Sequence, residues 1–265
     1  MKSLPGSRHP YWTATIVTAG FLLVISAGSR LGGDRDDARG MTIEWLARVV
    51  VAILACVTAR AIGWGEHGFS APRTWRAWTL FLLPMIYLSV AYPLLFTGSI
   101  GPNLKDPSVT ALVAAGSFSA GFAEDLVFRG LIFFTFLAAW GESDRAVWRA
   151  AAASSVFFSL PHLLNILAGH QTLRVGAQVL WAFVLGIAIA LLVFAARSVW
   201  PAAVLHGVID AVVATNRMGR RIELSPGKAA VMVLASVPVL LYAAAVARPR
   251  PAAAADAPTP DPRPV

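Results

Sequence analysis

Long apolar runs separated by short polar stretches form the main pattern of this chain. A helix needs about 20 apolar residues to span the hydrocarbon of a bilayer, and most of these runs approach or exceed that length. The pattern predicts eight membrane helices, over residues 11–29, 43–62, 78–96, 109–140, 147–167, 178–196, 199–214 and 229–246. The fourth run is too long for one plain span. The sequence therefore predicts an all-α fold, a polytopic membrane bundle of about eight transmembrane helices.

Composition supports this prediction. Of the 265 residues, 57% are hydrophobic and only 14% are charged, whereas soluble domains carry about 25% charged residues. Lys2 and Arg8 precede the first run, as in a signal peptide, but no convincing cleavage box follows it, so a retained helix is expected. The protein is predicted to be an integral, multi-pass protein of a bacterial cell membrane, surrounded by the lipid bilayer.

The remaining composition excludes several classes of function. The net charge is +8, but the basic residues are spread over loops and tails, where they would meet anionic lipid headgroups, so no nucleic acid partner is expected. Cys56 is the single cysteine and can form no internal disulfide. The sequence contains neither a paired-cysteine metal motif nor a phosphate-binding glycine loop.

The predicted helices divide the chain into four parts. Residues 1–105 would form supporting transmembrane helices, 106–216 a catalytic core, 217–247 the last transmembrane helix, and 248–265 a disordered tail rich in proline and alanine. The core is defined by the ionisable residues that we single out inside its apolar runs: Glu124, Asp125, Arg129, His162, His206 and Asp210. An unpaired charge in hydrocarbon costs at least about 2.5 kcal/mol, so these groups are expected to face one another.

The first polar group lies in the stretch AEDLVFRG. Asp125 and Arg129 are one helical turn apart and can pair. Glu124 points about 100° away from Asp125, so this pairing would leave the Glu124 carboxylate available for proton transfer. A structural ion pair that fixes helix packing, with Glu124 as its third member, explains the same residues.

Two further stretches each carry a histidine. In FSLPH, Phe158 precedes His162 by one turn, and Pro161 loosens the helix and frees a backbone carbonyl. In LHGVID, His206 and Asp210 are one turn apart, an arrangement in which the carboxylate can orient the imidazole. Each pair alone is explained by packing or hydrogen bonding. Three polar pairs on three helices predict a shared polar cavity between the helices.

The order of these motifs resembles the CPBP family, which comprises type II CAAX prenyl endopeptidases and bacteriocin-processing or self-immunity proteins and is also called the ABI family. The resemblance covers residues 110–215 and implies an intramembrane endopeptidase whose substrate is a membrane protein or peptide, including a lipidated one. It implies that Glu124 activates water, that His162 assists it, and that His206 and Asp210 stabilise the oxyanion. The implied supporting residues are Asp125, Arg129 and Phe158.

Two positions depart from the family pattern. Asp125 stands where glutamate is usual, and Asp210 stands where asparagine is common. An ionised carboxylate cannot donate a hydrogen bond to an oxyanion, so Asp210 would be protonated, orient His206, or bind a metal. Zn²⁺ or another divalent metal could be held by these four residues: Glu124, His162, His206 and Asp210. A metal-dependent mechanism and a metal-free, glutamate-type mechanism are both compatible with the sequence.

Two other functions use the same residues. In a proton-coupled transporter the acids and histidines would form a relay, although transporters usually distribute such residues over paired halves of the chain. A catalytically inactive immunity or scaffold protein of the same fold would keep the residues without the activity. The basic stretch NRMGRR, with Arg217, Arg220 and Arg221, is interpreted as a membrane-surface anchor rather than a binding site for an acidic substrate segment.

Overall fold

The computed structural model describes residues 9–33, 38–64, 68–98, 106–218 and 224–247. Every regular element in these residues is helical, which confirms the predicted all-α fold. The predicted tail over residues 248–265 lies outside the described part of the chain, as do Arg220 and Arg221.

The helices follow the predicted apolar runs. Their bounds are α1 (Pro10–Gly32), α2 (Ala38–Ala61), α3 (Trp75–Thr97), α4 (Pro107–Asp125), a π-helix (Leu126–Ile132), α5 (Phe133–Trp140), α6 (Asp144–Ser159), a 3₁₀-helix (Leu160–Leu163), α7 (Leu164–Leu167), α8 (Thr172–Ala196), α9 (Trp200–Arg217), α10 (Pro226–Leu234) and α11 (Val237–Val246). The fourth predicted run is α4, the π-helix and α5 without a break. The fifth is α6 to α7, and the eighth is α10 and α11.

Six helical stretches of the described residues are long and apolar enough to cross a membrane: Pro10–Gly32, Ala38–Ala61, Trp75–Leu95, Asp144–Leu167, Thr172–Ala196 and Pro226–Val246. Large apolar side chains on their outer faces are exposed, such as Ile16, Leu23, Ile53 and Leu83. In a bilayer these faces meet lipid rather than water. The protein is therefore an integral membrane protein.

The centre of the bundle lies around the π-helix and the second half of α8. All seven residues of the π-helix are buried, and α8 is buried without interruption from Leu185 to Phe194. The segment from α4 to α5 is thus enclosed by other helices at the point where its hydrogen-bonding pattern changes. Arg129 lies in this enclosed segment.

Helices α4 and α9 approach each other closely because glycines face the contact. A Cβ atom added to Gly121 would lie 2.8 Å from the backbone carbonyl carbon of His206, and one added to Gly207 would lie 2.7 Å from the carbonyl oxygen of Phe118. Contacts this short are not possible for a real side chain, so only glycine permits the two backbones to come this near. This approach places the acids of α4 next to the histidine of α9.

The start of α9 is held by the segment before α3. Three hydrogen bonds join residues 68–70 to residues 198–200: Val199 N–H to the Gly68 carbonyl at 2.7 Å, the Trp200 indole N–H to the Phe69 carbonyl at 2.8 Å, and the Ser198 hydroxyl to the Ser70 carbonyl at 3.0 Å. We call residues 68–70 the strap. His206 follows about two helical turns after this attachment.

Candidate active site

A buried ion pair occupies the junction of α4 and the π-helix. The Arg129 Nη1 and Asp125 Oδ1 atoms are 2.9 Å apart, and the two side chains are 1% and 0% exposed. This is the pairing expected from their spacing. The Arg129 guanidinium carbon also lies 3.8 Å from the centre of the Phe158 ring, at a cation–π distance. Both charges are thus compensated inside the bundle.

Glu124 has a different environment from its neighbour. Its side chain is 24% exposed, and its Oε2 atom lies 4.0 Å from His206 Nε2. The same ring nitrogen is 3.8 Å from Asp210 Oδ2, and the Asp210 side chain is 30% exposed. One donor atom each from Glu124, His206 and Asp210 lies within 4.8 Å of the others. The structure therefore brings together three of the four predicted catalytic residues in one group.

The second ring nitrogen of His206 faces a third carboxylate. His206 Nδ1 is 3.4 Å from Asp125 Oδ1, and the His206 side chain is 4% exposed. Asp125 thus contacts both Arg129 and His206. Among the carboxylates near His206, Asp125 is closer than Asp210, whose orienting role was one of the possibilities drawn from the sequence. The sequence pattern did not reveal this second contact of Asp125.

His162 lies beside the group rather than within it. Its Nδ1 atom is 3.1 Å from the Phe158 carbonyl oxygen, which the 3₁₀-helix begun at Leu160 leaves accessible. A carbonyl can only accept, so Nδ1 carries the proton and Nε2 keeps its lone pair.

Phe158 separates the two histidines and contacts both. Its ring centroid is 5.3 Å from that of His162 and 5.9 Å from that of His206, and both pairs are edge-to-face. Together with its contact to Arg129, the Phe158 ring touches three polar side chains of the site. It thereby fixes the spacing of these side chains.

The donor set of the group fits a divalent metal ion. Zinc binds carboxylate oxygen and imidazole nitrogen at about 2.0–2.2 Å, which separates its tetrahedral ligands by about 3.4 Å. The observed separations of 3.8 and 4.0 Å from His206 Nε2 to the two carboxylates are close to this value. Glu124, His206 and Asp210 could therefore hold such an ion after small side-chain movements. His162, the fourth predicted ligand, is not in this group.

Arg48 of α2 is a further polar residue near the site and lies outside the three motifs. Its Nη1 atom donates to the Gly116 carbonyl of α4 at 3.0 Å, and its Nη2 atom is 3.2 Å from Glu44 Oε2. It joins α2 to α4 two turns before Glu124. The available signal was an acid and a base at helical spacing inside an apolar run.

A cavity of about 180 Å³ begins at Asp210 and runs between α3, α8, α9 and α10. Tyr92 and Trp181 face it and form a hydrogen bond from the indole N–H to the phenol oxygen. Gln178 also lines it and accepts a hydrogen bond from Asn165 at 3.1 Å. A space thus opens next to Asp210, but its walls are largely apolar and it is lined by none of Glu124, His162 and His206. The shared polar cavity stays a prediction.

The comparisons with known proteins agree with this geometry. Residues 106–212 match the family described as type II CAAX prenyl endopeptidase Rce1-like. The match contains all three motifs, from Glu124 through His162 to Asp210. Neither the curated proteins nor the solved structures gave a significant match. The segment from α4 into α9 is therefore similar to Rce1-like type II CAAX prenyl endopeptidases, which confirms the resemblance drawn from the motifs.

Proposed function

We propose that the protein is an intramembrane endopeptidase that hydrolyses a peptide bond of a membrane-associated protein or peptide. The observation that carries this proposal is the grouping of Glu124, His206 and Asp210 donor atoms within 4.8 Å of one another. Three such groups in an enclosed membrane site can hold a water molecule and polarise it. The family match supports the same class of reaction.

Glu124 is the general base of this mechanism. Its carboxylate is partly exposed, so water can reach it, whereas Asp125 is 0% exposed and pairs with Arg129. Glu124 takes a proton from the water, and the water oxygen bonds to the substrate carbonyl carbon. When the C–N bond breaks, this proton passes to the leaving nitrogen. The products are a carboxylic acid and an amine, and Glu124 returns to its starting state.

His206 stabilises the negative oxygen of the tetrahedral intermediate. Its two ring nitrogens face the carboxylates of Asp125, Glu124 and Asp210. If the ring is protonated between these carboxylates it is a cation, and a fixed cation beside the developing oxyanion lowers the barrier. Asp210 in this mechanism orients the ring and supplies no hydrogen bond to the oxyanion. Asp125 secures the ring from the opposite side.

His162 assists the base. Because its Nδ1 proton is engaged by the Phe158 carbonyl, its Nε2 lone pair can accept a hydrogen bond from the water and orient it while Glu124 takes the proton. A divalent cation bound by Glu124, His206 and Asp210 would add Lewis-acid polarisation of the water and the carbonyl.

The test is the substitution Glu124→Gln in the full-length protein, purified in detergent. The probe is a pool of synthetic peptides that end in a prenylated cysteine and three further residues, with products identified by mass spectrometry. Loss of a general base costs about 10²- to 10⁴-fold in rate, so hydrolysis should fall by at least 100-fold. Hydrolysis at the wild-type rate by a folded Glu124→Gln protein would refute the mechanism.

A matched control is Glu142→Gln. Glu142 pairs with Arg197 at 2.8 Å, and the two side chains are 37% and 61% exposed at the far end of α8. The same loss of charge there should leave the rate unchanged. The Glu142→Gln control therefore distinguishes the loss of the general base from a general effect of removing one carboxylate.

The Asp210→Asn variant addresses the inactive alternative. If the wild-type protein cleaves nothing and Asp210→Asn restores hydrolysis, the natural protein is a non-catalytic member of the family. Proton flux in liposomes without peptide hydrolysis by either protein would instead support a transporter.

A further inference from the structure

The strap contacts the π-helix as well as α9. The ring of Phe69 lies over Gly130, because a Cβ atom added to Gly130 would be 2.5 Å from Phe69 Cζ and 2.7 Å from its Cε2. The backbone of Gly68 lies equally close to the Phe134 ring. At each contact an aromatic ring occupies the space that a side chain would need. Gly130 and Phe134 are about one helical turn apart, so the strap lies along one side of the segment from the π-helix into α5.

Phe69 is also joined to the start of α9. Its side chain is buried and lies edge-to-face with the Trp200 indole, with 6.4 Å between the ring centroids. Its backbone carbonyl accepts the Trp200 indole N–H at 2.8 Å. The Trp200 ring in turn lies 6.1 Å from the Phe122 ring of α4, two residues before Glu124. Phe69 therefore contacts the π-helix and α9 directly, and α4 through one further ring.

The elements that Phe69 joins carry the two partners of the Asp125–His206 contact. Gly130, under the Phe69 ring, directly follows Arg129, whose guanidinium pairs with Asp125 at 2.9 Å. The first turn of α9, which the strap also holds, begins the helix that carries His206. The 3.4 Å distance from Asp125 Oδ1 to His206 Nδ1 therefore depends on how the π-helix is held against α9. The strap packs on both of these elements.

We propose that Phe69 is a positioning residue of the hydrolytic reaction, which holds the π-helix against α9 so that Asp125 and His206 keep their contact. The inference rests on the proposed endopeptidase activity, in which His206 stabilises the oxyanion. Phe69 acts through His206 and not on the substrate. A residue that improves only the geometry of the transition state changes kcat and kcat/KM by the same factor. Loss of the Phe69 ring should therefore lower kcat and leave KM nearly unchanged.

The contact between Phe69 and Gly130 allows a pair of complementary substitutions. The atoms nearest to an added Cβ at Gly130 are Cζ, Cε2 and Cε1, which form the far end of the Phe69 ring. Leucine lacks these atoms, so Phe69→Leu opens space for the methyl group that Gly130→Ala adds. Each substitution alone disturbs the contact, whereas the two together nearly conserve its volume, which buried sites tolerate best.

The experiment measures kcat and KM of the full-length protein in detergent, with the peptide of the prenylated pool that the wild type cleaves fastest. Phe69→Leu and Gly130→Ala should each lower kcat about tenfold, since a displacement of 1 Å at a reactive group can cost about 10²-fold in rate. The double variant Phe69→Leu/Gly130→Ala should recover kcat to within about threefold of the wild type, because residues in contact do not act additively. KM should stay nearly constant in all three variants.

The matched control is Phe81→Leu. Phe81 of α3 is a buried phenylalanine outside the strap contacts, so the substitution removes a similar amount of core packing. It should lower the free energy of unfolding about as much as Phe69→Leu does, and leave kcat unchanged. An equal loss of kcat in Phe81→Leu would overturn the inference, because the effect would then follow stability alone. Wild-type kcat in Phe69→Leu, or no recovery in the double variant, would overturn it as well.

Failure of the proposed activity can be distinguished from failure of this inference. If the wild-type protein hydrolyses no peptide, the nitrogen NMR signals of the His206 ring are recorded in protein labelled at histidine and assigned by their absence in His206→Gln. These signals report the contact of the ring with Asp125 directly. A change of the signals in Phe69→Leu that the double variant reverses supports the positioning role without hydrolysis. Unchanged signals, or a change that persists in the double variant, overturn it.

Discussion

The contact of α4 with α9 makes Gly121→Ala a direct test of the geometry at the site. A Cβ atom there would lie 2.8 Å from the His206 carbonyl carbon, 2.9 Å from its oxygen and 3.0 Å from Asp210 Oδ2. An ordinary contact begins near 3.4 Å, so the backbones must separate by about 0.6 Å. A 1 Å misplacement can cost 10²-fold in rate, so we expect hydrolysis to fall about tenfold or more.

The same substitution should also lower stability. Insertion of a methyl group into a filled contact costs about 1–3 kcal/mol, which outweighs the gain of about 0.5–1 kcal/mol from replacing a helical glycine by alanine. The measurements are the hydrolysis rate of the prenylated peptide pool and the free energy of unfolding in detergent. Gly20→Ala on α1 is the control, because a Cβ there meets nothing within 4 Å. Wild-type rate and unchanged stability for Gly121→Ala would refute the close approach of the two helices.

Three further predictions concern stability. Arg129→Met leaves the Asp125 carboxylate buried without its partner at 2.9 Å. The free energy of unfolding, measured by denaturant titration in detergent, should fall by about 3–5 kcal/mol. A loss below about 1 kcal/mol would contradict a buried ion pair. Tyr92→Phe removes the acceptor of the Trp181 indole N–H and should cost about 0.5–1.5 kcal/mol in the same assay, with no change indicating that the bond is absent. Asp106 is the N-cap of α4. Hydrogen bonds from the Ser108 hydroxyl and from the backbone N–H groups of residues 108 and 109 hold the pKa of its carboxyl below the ordinary 3.8. The difference in melting temperature between wild type and Asp106→Ala should therefore be constant above about pH 5 and shrink as the pH falls through the lowered pKa. A difference that grows on acidification would contradict this sign.

The helical runs were predictable because length and hydrophobicity alone decide whether a segment can span hydrocarbon. The pairing of Asp125 with Arg129 was predictable for a similar reason, since a spacing of four residues fixes their relative position on one helix. Both conclusions depend on local sequence only.

The contacts between helices were harder to predict from the sequence. The 3.4 Å distance between Asp125 and His206 depends on how α4 is rotated relative to α9. That rotation depends on the close contacts at Gly121 and Gly207, which are far apart in the sequence. The π-helix also changes the rotation of the residues around Arg129, and LVFRGLI carries no periodic signal for it. Rotation between elements is a tertiary property, and a hydrophobic pattern does not encode it.

The position of His162 beside the group of Glu124, His206 and Asp210 was also hard to predict, because it depends on a local change of helix type. Pro161 indicated a loosened helix, but the 3₁₀ turn that follows determines where the imidazole points, and its Nδ1 atom binds the Phe158 carbonyl. The cavity beside Asp210 was equally hard to predict from the sequence, because four helices enclose it together.

The strap has a mechanical consequence for α9. A side chain that projects about 5–6 Å from a helix axis moves about 2 Å when the helix turns by 20° about that axis. Such a turn would carry the His206 imidazole away from the Glu124 carboxylate, 4.0 Å distant. Hydrogen bonds to three consecutive residues at the start of α9 resist this rotation. The orientation of the imidazole is thus secured from outside the group of Glu124, His206 and Asp210, by backbone carbonyls of the strap.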